Sequence, residues 1–102
     1  MGLTVTSFLV TVSTSGTAVP LTAIETNVHR AIVQATAANT NNMYLSGSDV
    51  STTNGLALDA GQSITLAGRE MNGSEDTIDL AKIYLDADTN GETAMVTAFT
   101  WS

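Results

Sequence analysis

Residues 43–66, MYLSGSDVSTTNGLALDAGQSITL, constrain the fold of this chain more than any other stretch. Short apolar pairs are separated there by Gly, Asn, Asp and Ser. Two turn signals interrupt them, Thr53-Asn54-Gly55 and Asp59-Ala60-Gly61-Gln62. Asn-Gly and Asp-x-Gly supply backbone positions that tolerate positive φ, which tight strand connections need. The stretch therefore builds strands and turns. It holds no nucleophile–base pair, no metal-ligand cluster and no basic patch.

The rest of the chain reads in the same period. Residues 3–12 alternate, with Phe8, Val10 and Val12 on one parity and Ser7, Thr11 and Ser13 on the other. Residues 17–24 form a short strand with the only proline, Pro20, which cannot donate to a ladder, so the strand lies at an edge or begins after it. Residues 28–38 fit strand period better than helix, because Val, Ile and Thr favour it. Strands follow at 43–45, 55–58 and 63–67. In 78–85 the parity slips between Ile78/Leu80 and Ile83/Leu85, which predicts a bulge near Ala81. The last strand, 93–101, has Met95, Phe99 and Trp101 on one face and Ala94, Val96 and Ala98 on the other. Trp101 either closes the core, as its shared face with Met95 and Phe99 favours, or sits at a subunit boundary. Residues 68–76 read as the longest irregular segment. The expectation is an all-β fold, a small antiparallel β-sandwich or barrel of about seven or eight strands. No repeat or linker divides it, so residues 1–102 form a single β domain.

Composition narrows the function. Charged residues make up 13% of the 102 residues, against roughly 25% in ordinary soluble domains. Thr and Ser fill the surface instead. The net charge is −7, with Arg30, Arg69 and Lys82 the three basic residues. Neutralising several phosphates needs clustered Lys or Arg, so no nucleic-acid partner is expected, and an anionic membrane is disfavoured for the same reason. No run approaches the length of a membrane span, and residues 1–8 lack the basic start and apolar core of a signal peptide. With no cysteine there is no disulfide framework and no thiolate zinc site.

Few groups could carry chemistry. Asp86-Ala87-Asp88-Thr89-Asn90-Gly91 matches the first half of a calcium loop, with oxygens at positions one, three and five and Gly at six. The twelfth position, where a bidentate Glu belongs, is Thr97. A hairpin turn between Leu85 and Thr93 explains the same residues, which leaves Asp86, Asp88, Asn90 and Glu92 as a weak calcium candidate. His29 is the only histidine, so a multi-His site within one chain is excluded. Only three threefold-related copies of His29 could make a metal site or pH switch. No Gly-x-Ser-x-Gly elbow or Gly-rich phosphate loop appears. Glu75, Asp76 and Asp79 form an acidic run, read as a solvated face or a patch toward a basic partner. No catalytic residue, cofactor or enzymatic activity is expected. Leu3, Val5 and Leu9 lie on the parity opposite Phe8, so residues 1–15 carry apolar side chains on both faces and need cover on both. These three residues and Trp101 are the candidate contacts with a neighbouring subunit or a capsid.

A longer pattern runs through residues 16–100. It begins at Gly16-Thr17-Ala18-Val19-Pro20-Leu21 and passes through Val28-His29-Arg30-Ala31-Ile32-Val33-Gln34-Ala35 and Tyr44-Leu45-Ser46-Gly47-Ser48. It continues with Val50-Ser51-Thr52-Thr53-Asn54-Gly55-Leu56 and Leu58-Asp59-Ala60-Gly61-Gln62-Ser63-Ile64-Thr65-Leu66. It closes with Ile78-Asp79-Leu80-Ala81-Lys82-Ile83-Tyr84-Leu85-Asp86. In order and spacing this resembles a family of small all-β tailed-bacteriophage virion proteins of the capsid decoration, or cement, kind. The resemblance implies a homotrimer on the exterior of the virion, assembled in the host cytoplasm and bound to the major capsid protein. It carries no catalytic motif. The alternatives are a tail, neck or head-fibre component, or a host-surface carbohydrate-binding module. Two or more exposed, clustered aromatics would favour the carbohydrate-binding module.

Overall fold

A computed structural model describes residues 2–51, 53–67, 70–71, 74–75 and 77–101, with backbone only at 70–71, 74–75 and 101. The strands in chain order are β1 (Leu3–Val12), β2 (Val19–Pro20), β3 (Asn27–Val28), β4 (Arg30–Ala35), β5 (Met43–Ser46) and β6 (Leu56–Leu58). They continue as β7 (Ser63–Ala67), β8 (Glu70–Met71), β9 (Ser74–Glu75), β10 (Ile78–Asp79), β11 (Tyr84–Ala87) and β12 (Glu92–Trp101). Eight of them make two four-stranded antiparallel sheets, ordered β1-β12-β4-β7 and β2-β11-β5-β6. The other four pair as the small ribbons β3-β10 and β8-β9. The chain is an all-β antiparallel sandwich.

Alternation dictates which side of each strand faces inward. In β1, Val10 and Val12 are buried while Leu9 and Thr11 are exposed. In β4, Ala31, Val33 and Ala35 are buried between Arg30 and Gln34, which are exposed. Met43, Leu45, Leu58 and Leu85 come from the second sheet into the same cluster. Burying each Val or Leu side chain stabilises the fold by about 1.5–3 kcal/mol before the entropy of ordering it is charged against it.

The core face of β12 is opposite to the one read from the sequence. Ala94, Val96 and Ala98 are buried, whereas Met95 and Phe99 lie on the outer face and are half-buried. Both faces of this strand are apolar, so alternation alone leaves the choice open. The side chains across the core decide it, because bulky Met43 and Leu85 of the second sheet already fill the interior and leave room for the smaller Ala94, Val96 and Ala98. Trp101 sits opposite Leu3 in the ladder, and its side chain lies outside the described residues.

Three further departures have local causes. The strand expected at 17–24 shrinks to Val19–Pro20, on the edge of its sheet as proline requires. The strand expected at 28–38 breaks at His29, so Val28 pairs with Ile78 in the ribbon while Arg30 begins the ladder with β12. That break is why Val28 and Ala31, of opposite parity, are both buried. Within 78–85 there is no bulge but a 3-10 turn, Leu80–Lys82, started by the Asp79 carboxylate accepting from the Ala81 N–H. Of the irregular segment expected at 68–76, residues 68, 69, 72, 73 and 76 lie outside the described residues.

The connections make the sandwich. The links from β1 to β2, β4 to β5, β6 to β7 and β11 to β12 each cross from one four-stranded sheet to the other, so the hairpin expected between Leu85 and Thr93 is a crossing instead, and β5–β6 is a hairpin within its sheet. The Asp59–Gln62 turn is one of the crossings: the Gln62 N–H donates to the Asp59 carbonyl at 2.9 Å, and Gly61 has φ +85°. The other turn signal closes between Ser51 and Asn54, whose N–H and carbonyl groups bond both ways. Gly55 follows it at φ +147°, where a Cβ would come within 2.8 Å of Val50 Cγ2.

Candidate functional site

At one end of the sandwich the loops at 13–16, 36–42 and 88–91 meet. The calcium candidate falls here, and its oxygens are occupied by the protein itself. Asp86, 1% exposed, accepts from the Gly16 N–H at 2.9 Å and from its neighbour Ala87 N–H at 2.8 Å. Asn90 Oδ1 accepts from the Ser15 N–H at 2.7 Å. Both Asp88 oxygens accept from the Tyr44 hydroxyl, at 3.1 and 3.2 Å. Glu92, 5% exposed, accepts from the Thr40 N–H and the Asn41 N–H, both at 3.0 Å. The four residues thus face three different segments. Among the described residues, no group of three or more His, Asp or Glu side chains is placed to hold a metal ion.

These contacts are loop staples. A carboxylate accepting backbone N–H groups satisfies donors that a tight loop would otherwise leave unpaired. Asn39 does similar work: it accepts from the Thr93 N–H at 2.9 Å and donates to the Thr93 carbonyl at 2.8 Å, as a paired strand residue would. The sequence reading missed the roles of Asn39 and Glu92. For Glu92 a signal existed, since it shares the parity of Ala94, Val96 and Ala98 and so points inward. Tyr44 carries the electrostatic trace of this end: desolvation first, and the bond to Asp88 second, push its phenol above the ordinary 10.0.

The acidic run is only partly described. Asp79 accepts from the Thr26 N–H at 2.9 Å and the Ala81 N–H at 3.0 Å. Those two bonds, Thr26 first, hold its pKa below the ordinary 3.8. The side chain of Glu75 and all of Asp76 lie outside the described residues. His29 is half-buried at the β3–β4 break, its N–H donating to the Phe99 carbonyl at 3.0 Å.

The remaining feature is the outer face of the first sheet. Leu3, Val5 and Leu9 are 61%, 52% and 57% exposed. The ladder sets Val5 beside Phe99 and Leu9 beside Met95, and β4 adds Ile32 beside Thr97. Ser7 and Thr97 join across the two strands by a 3.2 Å hydroxyl bond. Farther across, Gln34, Ser63 and Thr65 make the face polar but uncharged. Arg30 is the one charged residue among the described residues of this face. The structure therefore brings Leu3, Val5 and Leu9 together on one surface, as their parity predicts. No protein-family model, curated protein or solved structure matches the chain.

Proposed function

We propose that this chain is a non-enzymatic structural protein of a bacteriophage particle. Its role is that of a capsid decoration protein, bound to the major capsid protein on the outside of the head and stabilising the mature lattice. The observation that carries the reading is the division of labour on its surface. Asp79, Asp86, Asp88 and Glu92 are engaged in holding loops, while a broad, almost uncharged sheet face has no partner among the described residues. A sandwich braced in this way is suited to contact rather than to chemistry. A protein that binds only the mature lattice stabilises it by mass action. The net charge of −7 keeps such a surface from adhering to nucleic acid.

The carbohydrate-binding alternative needs exposed aromatics on which sugar rings can stack. Phe8, Tyr44, Tyr84 and Phe99 are all half-buried, so none offers an open platform. A tail, neck or head-fibre position differs from decoration only in the partner. The test is incubation of the purified chain with phage heads that lack it. Binding at fixed stoichiometry and a higher disruption temperature are expected. A chain that ignores heads and binds tail components or glycans would overturn the decoration role.

A further inference from the structure

The outer face of the first sheet is too apolar and too extended to be an ordinary solvated surface. An isolated exposed apolar residue is common, and Leu56 and Ile24, exposed elsewhere on the molecule, are of that kind. Leu3, Val5 and Leu9 differ, because they form one row on one strand and rest beside Met95 and Phe99, with Ile32 one strand farther across. The strand that carries them is also an open edge. Natural sheet edges are blunted by charges, proline, bulges or short length. β1 is ten residues long, LTVTSFLVTV, and contains neither charge nor proline.

We infer that a second copy of this chain covers this face, sheet against sheet, with Val5, Leu9, Met95 and Phe99 at the centre. Two arguments select a copy of itself. The first is charge. Among the described residues no Asp or Glu occupies an outward position of β1, β12, β4 or β7, although the net charge is −7. Two such faces meet without like-charge repulsion, and a strongly basic or acidic partner would find no countercharge except Arg30. The second is area. Strands of ten, ten, six and five residues make up the face. At about 3.4 Å per residue and 4.8 Å per strand they cover roughly 500 Å². Two copies then bury roughly 1,000 Å², which reaches the lower limit for a specific interface. The apolar β1–β12 side forms the dry centre and the Gln34, Ser63 and Thr65 side the polar rim, as in known interfaces.

The test is light-scattering mass against concentration, from about 1 µM to about 1 mM, for the wild type, Val5→Lys/Leu9→Lys and Ile24→Lys. Circular dichroism confirms that each variant is folded, since all three positions are exposed. The wild type and Ile24→Lys should run as two copies, and Val5→Lys/Leu9→Lys as one. A wild type that stays a single chain throughout overturns the inference, and so does association that survives both lysines. The inference uses the face that also supports the capsid reading, so a second copy and a capsid compete for it, and the outcomes separate them: a chain that associates but ignores heads removes the decoration role alone, and a single chain that binds heads removes only the self-association.

Discussion

Replacing Glu92 by Gln tests the loop-staple argument directly. The wild-type carboxylate sits 5% exposed and gives one oxygen to the Thr40 N–H and the other to the Asn41 N–H. Glutamine has the same shape but a single accepting oxygen, and its amide nitrogen must face one of the two N–H donors. One charge-assisted bond is lost and a buried donor is left against another donor. A bond to a charged group contributes about 1.5–3 kcal/mol, so a loss of about 2 kcal/mol is expected. For a domain of this size that lowers Tm by roughly 8–16 °C. Urea unfolding gives the free energy, and amide exchange read by NMR should show faster exchange at Thr40 and Asn41, with β7 on the far edge unaffected. Calcium serves as a control. If Glu92 were a calcium ligand, millimolar calcium would raise the wild-type Tm and Glu92→Gln would abolish that rise; the staple account expects no rise. A loss below about 0.5 kcal/mol, the range of unremarkable surface changes, together with unchanged exchange at Thr40 and Asn41, would refute the reasoning.

Three further outcomes follow from the same structure. Leu85→Ala removes a fully buried side chain from the middle of the second sheet and should cost about 2–5 kcal/mol in urea unfolding, whereas Leu56→Ala, half-exposed on the edge, should cost far less. Gly55→Ala combines a positive φ with a 2.8 Å clash against Val50, so it should lower Tm well beyond the effect of Gly16→Ala, where nothing lies within 4 Å. The bonds from Thr26 and Ala81 lower the pKa of Asp79 in the folded state relative to the unfolded chain. Its stabilising contribution is therefore complete above the ordinary carboxylate range and is lost as pH falls through the lowered value. Asp79→Asn should lower Tm at neutral pH and flatten the acid limb of the Tm–pH curve; an unchanged acid limb would count against this role.

The parts of the fold that could be read in the sequence are those set by alternation and turn residues alone. Strand β1 at 3–12 and strand β7 at 63–67 match the structure to the residue, because each is bounded by turn residues and keeps one parity throughout. The exposure of Leu3, Val5 and Leu9 follows from the same logic, as their parity is opposite to Phe8. Alternation gave the wrong answer at 78–85, where a side chain bonding to backbone N–H groups replaced a strand by a helical turn. It was also insufficient in β12, which offers two apolar faces; only the bulk of Met43 and Leu85 across the core selects the small one. The calcium pattern at Asp86–Gly91 shows a third limit. A sequence names the oxygens but not the N–H groups that fold back to meet them, and those of Ser15, Gly16, Thr40 and Asn41 come from loops distant along the chain.

The pairing of Leu3 with Trp101 carries a consequence for how the chain is made. β12 lies between β1 and β4, so the first sheet has no continuous framework until residues 92–101 are available. A ribosome delivers β1 long before β12, its neighbour in the sheet. Until then that apolar strand stands with its edges unpaired, the condition in which chains are most easily captured by one another. Crowding of nascent chains, or a stall before residue 92, therefore exposes this protein to aggregation at a stage that its finished, loop-stapled form does not reveal.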